Sequence, residues 1–216
     1  VSSKRVNWNA HGMNAKSKLE DSQLRYQEER RHLLMDAAAE VIARQGLRST
    51  TMDDISASLG MTKIVLYRTF GSKDQLIVSI LERVTEAFLS IDSLHIEKYG
   101  DRLHRYLEVS RKYENSMRIL LLQSPYDEKY NKQYKKLSRQ LVKRTMERVE
   151  QRQKAGKTEC SLGVKFVSVS IVSFVLDSIS RWLKHGKRNQ DNEFVQWMLV
   201  SRAAMENPGM VTADYG

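Results

Sequence analysis

Proline, cysteine and long apolar runs are scarce in this chain, and each shortage excludes a class of structure. The only two prolines, Pro125 and Pro208, and the lack of alternating β-branched runs predict an all-helical protein. The single cysteine, Cys160, cannot form a disulfide within the chain, which fits a reducing compartment. The longest strongly apolar run, Phe166 to Leu176, is too short for a membrane span, and the N-terminal residues lack an apolar secretory segment. We therefore expect a cytoplasmic helical protein with no membrane partner.

Sequence signatures of catalysis and of metal binding are also missing. The chain has no Ser-His-Asp elbow, no Cys-x-x-Cys, no His-Glu-x-x-His, no P-loop and no glycine-rich dinucleotide turn. His95 and His104 lie nine residues apart without a cluster of further ligands, so no metal site is expected. The sequence therefore favours a protein that is not an enzyme and needs no cofactor.

Glycines divide residues 25–94 into four predicted helices. Gly46, Gly60 and Gly71 follow the first three helices, and the fourth extends to about residue 94. Hydroxyl side chains precede the last three helices, where they can accept first-turn amides: Thr51, Thr62 and Ser72. The apolar stripe of the first helix comprises Leu33, Leu34, Ala37, Ala38, Val41 and Ile42. Two short helices joined by a tight turn form a helix-turn-helix, whose second helix enters the major groove of DNA.

The third predicted helix, residues 63–70, has an unusual surface. Leu66 and Phe70 are four residues apart and should face the core. The other faces combine apolar and aromatic side chains with cations, which suits a groove that presents phosphates, base edges and thymine methyls.

Five further helices are predicted at 102–114, 116–123, 127–154, 161–185 and 191–206, which gives about nine in all. We expect an N-terminal three-helix DNA-binding domain followed by a C-terminal helical domain, to which the family resemblance described next assigns ligand binding and dimerisation. The predicted boundaries are a flexible basic arm at 1–24, the DNA-binding domain at 25–75, the second domain at 76–206 and a tail at 207–216.

Residues at fixed spacing in this region resemble a known family. They are Thr51-x-x-x-Ile55, Leu59-Gly60-Met61-Thr62-Lys63, Leu66-Tyr67-x-x-Phe70 and Ser72-Lys73-x-x-Leu76. The pattern covers about residues 28–80 and resembles the tetracycline-repressor (TetR) family. The resemblance implies a sequence-specific regulator, most simply a homodimeric repressor released from a pseudo-palindromic operator by a small molecule. An activator or a ligand-independent DNA-binding protein is the alternative.

The resemblance also implies roles for individual residues. Those that would touch phosphates are Thr51, Thr62, Tyr67 and Lys73. Those that would face base edges are Lys63, Ile64 and Val65, with Arg68 and Thr69 nearby. Lysine can donate to guanine, and the two aliphatic side chains can pack on thymine methyls. Ile64 and Thr69 depart from the family's usual residues, so the operator sequence stays open.

Positive charge is in excess and is unevenly distributed. The net charge of +10 favours a polyanionic partner. Residues 1–75 hold 12 basic and 9 acidic side chains, whereas residues 98–165 hold 18 and 8. The default interpretation of the basic helix at 127–154 is that its cations form a solvated face. A sharper hypothesis is that it attracts an anionic effector such as an acyl-coenzyme A, or adds non-specific DNA affinity. The cations to test are Lys135, Lys136 and Arg139.

The last two predicted helices offer a dimer interface. The helix at 161–185 is apolar around most of its circumference, more than one core face needs. A core helix of a single protomer is the alternative, whereas the resemblance points to a four-helix bundle between two copies. The predicted interface residues are Val172, Val175, Ile179, Trp182, Phe194, Trp197 and Met198.

A ligand cavity among the middle helices is implied by the resemblance alone. Its candidate residues recur at helical spacing, for which ordinary core packing is the simpler explanation. The candidates are Phe88, Tyr106, Tyr113, Met117, Leu120, Leu121, Phe174 and Asp177.

Overall fold

The computed structural model describes residues 8–94, 96, 98–158 and 162–206 of the 216-residue chain. Within these residues it contains nine α-helices and no strand, as the sequence predicts. The predicted tail, His95 and Cys160 lie outside the described residues. The helices are α1 (Trp8–Gln45), α2 (Met52–Ser58), α3 (Lys63–Phe70), α4 (Lys73–Ser90), α5 (Tyr99–Lys112), α6 (Glu114–Arg118), α7 (Asn131–Lys154), α8 (Val164–His185) and α9 (Asp191–Glu206).

Two predicted boundaries differ from the structure by a helical turn or more. Residues 8–24, predicted as part of an N-terminal arm, lie within α1. No proline interrupts this stretch, and Gly12 is its only glycine, so nothing in it ends a helix. Residues 127–130, predicted as helix, precede α7, because Pro125 lies in a short 3₁₀ turn that ends at Tyr126.

The buried face of α1 also differs slightly from the predicted stripe. Ala38 and Ile42 are fully buried, and Met35 and Ala39 join them, whereas Leu33 is 70% exposed. Successive helical residues are about 100° apart, so Leu33 lies about 140° from Ala38 around the axis. The stripe is therefore centred nearer Ala38 than the sequence pattern implied.

α4 runs from the end of the helix-turn-helix into the second half of the protein. It packs against α1, α5 and α7. Phe88 near its end stacks on Tyr106 of α5, with ring centroids 4.4 Å apart and planes within 6°. The Tyr106 hydroxyl donates to Asp92 at 2.7 Å, and its pKa is raised by burial and by that carboxylate. The apolar face of α4 is buried and comprises Leu76, Ile77, Ile80, Leu81, Val84 and Phe88.

Of the described helices, α8 is long and apolar enough to cross a membrane. More than half of its apolar stretch is buried inside the protein, where it packs on α7 and α9. The apolar run in the sequence is shorter than the helix that contains it, so helix length does not exclude a span. Burial against other helices is the better argument that α8 is a core helix.

Candidate nucleic-acid interface

α2 begins with a reciprocal pair of capping bonds. The Thr51 hydroxyl accepts from the Asp54 amide at 3.1 Å, and the Asp54 carboxylate accepts from the Thr51 amide at 2.8 Å. The Thr51 hydroxyl also donates to that carboxylate at 2.6 Å, and these bonds hold the pKa of Asp54 below its usual value. To donate to a DNA phosphate, the Thr51 hydroxyl would therefore have to give up its hydrogen bond to Asp54.

The turn between α2 and α3 depends on Gly60. Its φ of +61° lies in the left-handed region, and nothing within 4 Å would obstruct an added Cβ. Backbone conformation, and not lack of space, therefore requires glycine here. Thr62 occupies the N-cap position of α3 but makes no side-chain capping bond, contrary to the prediction. Its extended backbone is that of a cap, but its hydroxyl does not accept a first-turn amide.

The outer face of α3 combines apolar and cationic side chains, as the sequence predicts. Leu66 and Phe70 are buried on the inner face. Ile64 is 65% exposed, although exposure of an aliphatic side chain to water is unfavourable. Val65 and Thr69 are only half-exposed, and the Thr69 hydroxyl donates to the Val65 carbonyl at 2.8 Å. The exposed side chains of this face are Lys63, Ile64, Tyr67 and Arg68.

Two lysines of this surface already have oxygen partners. Lys63 Nζ lies 3.1 Å from Asp53 Oδ1, and both side chains are more than half exposed. Such a pair contributes about 0–1 kcal/mol, so a base or a phosphate can displace it. Lys73 Nζ donates to the Arg48 carbonyl at 3.0 Å. The sequence reasoning missed Arg48, which contacts Lys73 through its backbone carbonyl while its exposed guanidinium pairs with Asp127.

Sequence reasoning also missed the side chains that join α1 to the segment before α7. Gln123 accepts from the Leu47 amide and donates to the Ala43 carbonyl, each at 3.1 Å. Asp127 accepts from Arg48 at 2.8 Å, and the guanidinium holds the pKa of that carboxylate below its usual value. The one signal in the sequence is that Gln123 ends an apolar run just before a proline.

A second junction connects the start of α4 to the start of α7. Asp74 accepts from the Lys129 ammonium at 2.6 Å and from the Tyr130 hydroxyl at 2.5 Å. The pKa of Asp74 is lowered by both bonds, while the pKa of Tyr130 is raised by burial and by the carboxylate. The helix-turn-helix is therefore joined in two places to the residues just before α7.

Replacing Gln123 by alanine should destabilise the protein by about 1–3 kcal/mol, because it leaves the Leu47 amide and the Ala43 carbonyl without their partner. Urea unfolding at fixed protein concentration measures the loss. The matched control is Gln140→Ala on the exposed face of α7, which should change the free energy of unfolding by less than about 0.5 kcal/mol. Equal midpoints for the two variants would contradict this role of Gln123.

The residues predicted to line a ligand cavity do not surround one cleft. Tyr113 borders a polar cleft near the end of α5, and Phe174 packs on Trp197. Asp177 is exposed and pairs with Arg181. The other five are buried in the core, as their helical spacing allows: Phe88, Tyr106, Met117, Leu120 and Leu121. Across the described ranges, no three His, Cys, Asp or Glu residues are placed to hold a metal ion.

The predicted dimer residues divide between core and surface. Trp182 is half-buried, and Trp197 is 53% exposed. Five are buried within the protomer, where α8 packs on α7 and α9: Val172, Val175, Ile179, Phe194 and Met198. These five match the core-helix alternative. The exposed apolar side chains of this region are Leu162, Phe166, Val169, Trp197 and Val200.

Known proteins resemble both the local motif and the whole fold. Residues 34–80 match the family model of bacterial regulatory proteins, tetR family. The uncharacterized HTH-type transcriptional regulator Rv0472c of Mycobacterium tuberculosis is 39% identical over 88 residues, which are 39% of this chain and 36% of that protein. The chain thus aligns with about a third of that relative's length.

Solved structures match over most of the chain. A regulatory protein of the tetR family from Rhodococcus RHA1 superimposes with a TM-score of 0.64 at 21% identity, covering 82% of this chain and 96% of that one. AibR, in complex with isovaleryl coenzyme A and operator DNA, gives a TM-score of 0.62 at 22% identity, covering 80% and 97%.

The capped α2, the tight turn at Gly60 and the exposed face of α3 define a helix-turn-helix protein. The family match makes the assignment of this segment more specific: residues 34–80 form a DNA-binding segment of the tetR family of bacterial regulatory proteins, and the described chain shares the fold of solved TetR-family regulators.

Proposed function

We propose that this chain acts as a homodimeric repressor that binds a pseudo-palindromic operator and leaves it when a small molecule binds. The exposed face of α3 carries the proposal, because solvent-exposed Ile64 and Tyr67 lie there beside Lys63 and Arg68. Such a face fits a major groove better than it fits water. Thr51, Thr62 and Lys73 flank α3 in the sequence, and we assign them contacts with phosphates.

A homodimer is proposed because one helix-turn-helix covers only a few base pairs. The exposed apolar side chains on α8 and α9 are the surface we assign to the second copy, since patches of this kind mark interfaces. Trp197 is central to it because it contacts both Phe174 and Phe194 while remaining half exposed. We therefore assign DNA binding to residues 25–75, and binding of the effector and of the second copy to residues 76–206.

Release by a ligand is proposed from the junctions that attach the helix-turn-helix to α7. A ligand that favours another position of α7 would act through Gln123, Asp127 and Asp74. Two reading heads fit successive major grooves only when they are about 34–36 Å apart, so a small rotation is enough to lose the operator. AibR was solved with isovaleryl coenzyme A and operator DNA. This neighbour and the basic middle of the chain support an anionic effector such as an acyl-coenzyme A, sensed in the cytoplasm.

A mobility shift tests the proposal. The duplex upstream of the chain's own gene is compared with a random duplex of equal length, at two defined salt concentrations. A specific regulator should prefer its operator by about 10³-fold or more. Equal affinity for both duplexes would contradict sequence-specific regulation. Transcription in vitro from the same duplex then separates a repressor, which lowers transcript yield, from an activator, which raises it.

A further inference from the structure

A cleft of about 730 Å³ lies beyond the end of α4, between the start of α5 and the last turns of α7. Its volume falls in the range of small-molecule sites. α4 has 18 residues, so the cleft is about 27 Å along that helix from the end of α3. Two acidic side chains, Asp92 and Glu147, contribute to its lining. The cations that line it are Arg102, Arg144, Arg148, Arg152, Lys157 and Arg202.

One buried carboxylate, that of Asp92, pairs with three of these cations. The Asp92 side chain is fully buried, and its Oδ1 accepts from Arg102 at 3.1 Å, from Arg148 at 2.6 Å and from Tyr106 at 2.7 Å. Arg144 lies 3.4 Å from Oδ2, which has no hydrogen bond. Three guanidinium groups therefore share a single carboxylate.

The charge balance of this cluster favours an anionic ligand. Arg102 is 9% exposed, and Arg144 and Arg148 are about one-third exposed, so solvent screens them only in part. Three positive charges against one negative charge leave an excess that is costly in a partly buried site. The planar guanidinium group has five donors and matches phosphate oxygens two at a time. A ligand with several negative charges balances the three guanidinium groups around Asp92 better than that single carboxylate does.

We infer that this cleft binds a phosphate or diphosphate group of the effector, through arginines that Asp92 otherwise holds. The inference rests on the proposed function and locates the effector site. Asp92 follows directly after α4, whose first residue lies three positions after the end of α3. Removal of Arg144 and Arg148 from Asp92 would loosen the far end of that helix. The apolar Leu94 and Ile96 on one side of the cleft provide a surface for the rest of the ligand.

The basic helix thus takes a more specific role than its sequence indicated. Lys135, Lys136 and Arg139 do not line this cleft; Lys136 lies 3.9 Å from Glu86, and Arg139 is exposed. The cations of the last three turns of α7 face the cleft instead. Charge changes at the middle of α7 are therefore expected to leave ligand binding almost unchanged.

Calorimetric titration of the full chain with inorganic pyrophosphate and with ADP, at one ionic strength, tests the inference. Arg148→Gln should weaken pyrophosphate binding about 10-fold to 100-fold, the effect expected from losing a charged hydrogen bond. Lys157→Gln, at an exposed position of the cleft, should weaken it in the same direction without disturbing Asp92. Asp92→Asn should tighten it, because the competing charge is removed. The control is Lys143→Gln, an equal charge change on an exposed position of α7 outside the cleft.

The outcomes separate this inference from the proposed function. No saturable binding of either probe, or equal losses in Lys143→Gln and Arg148→Gln, would overturn the cleft as a phosphate site. Tighter binding of ADP than of pyrophosphate supports a ligand that also uses the apolar side. Displacement of bound pyrophosphate by random duplex DNA would show instead that the cleft binds a DNA backbone, and would overturn the inference. The operator mobility shift on ligand-free protein is independent of all these results, because the cleft lies far from α3.

Discussion

Replacement of Lys63 by glutamine is expected to weaken operator binding by about 2–6 kcal/mol in a homodimer. The estimate takes about 1–3 kcal/mol for each lost base contact and counts two half-sites. Lys63 gives up only an exposed ion pair with Asp53 when it turns to DNA, so little of this gain is offset. Binding isotherms on operator and on random duplex, at defined salt, measure the change.

The comparison with Lys73→Gln makes this prediction specific. Lys63 should read bases, so Lys63→Gln should reduce affinity for the operator far more than affinity for random DNA. Lys73 should contact phosphate, so Lys73→Gln should weaken both and reduce the salt dependence of binding. Lys143→Gln on α7 is the control with an equal charge change. Losses in Lys63→Gln that are equal on both duplexes would show that Lys63 does not read sequence.

Replacement of Phe88 by alanine is expected to lower the free energy of unfolding by about 3–5 kcal/mol. The side chain is fully buried in α4, and its removal leaves a cavity that the surrounding helices fill only in part. The stacked contact with Tyr106 adds a further loss, because that ring positions the hydroxyl that donates to Asp92. Urea unfolding followed by tryptophan fluorescence, at constant protein concentration, measures the effect.

Leu33→Ala is the matched control for Phe88→Ala. Leu33 is also a large apolar residue on a long helix, but it is 70% exposed, so its truncation should cost less than about 0.5 kcal/mol. A loss for Phe88→Ala that is no larger than this would mean that α4 and α5 are not packed as described. Leu33→Ala also checks that Leu33 lies on the exposed face of α1.

The helix-turn-helix could be read from the sequence because its signals are local. The periodicity of Leu66 and Phe70, the glycine at 60 and the hydroxyl at 51 each act within one or two turns of helix. The observed bounds of α3 therefore equal the predicted ones. The capping bond predicted for Thr62 does not form, because threonine at an N-cap position favours such a bond but does not ensure it.

The arginine cluster around Asp92 could not be read in the same way because its residues come from segments far apart in the chain. Asp92, Arg102 and Arg148 come from three separate segments, and each alone looks like an ordinary surface charge. The sequence likewise does not indicate the role of Gln123, since its hydrogen-bond partners lie about 80 positions earlier. The predicted dimer residues stay a prediction for another reason: an apolar helix face has the same sequence pattern whether it packs on its own protomer or on a second copy.

The backbone geometry of the five residues that end at Gln123 offers a route by which effector binding would reach α1. Ile119–Gln123 form a π-helical turn, which contains more residues per turn than an α-helix. Conversion of that turn to regular α-helix would rotate Gln123 by about 100° and shift it by about 1.5 Å along the axis. Both of its bonds to the backbone around α1 would then be lost without unfolding any helix. Hydrogen exchange at the Leu47 amide is the direct measurement: it should accelerate when effector binds, and an unchanged rate would exclude this route.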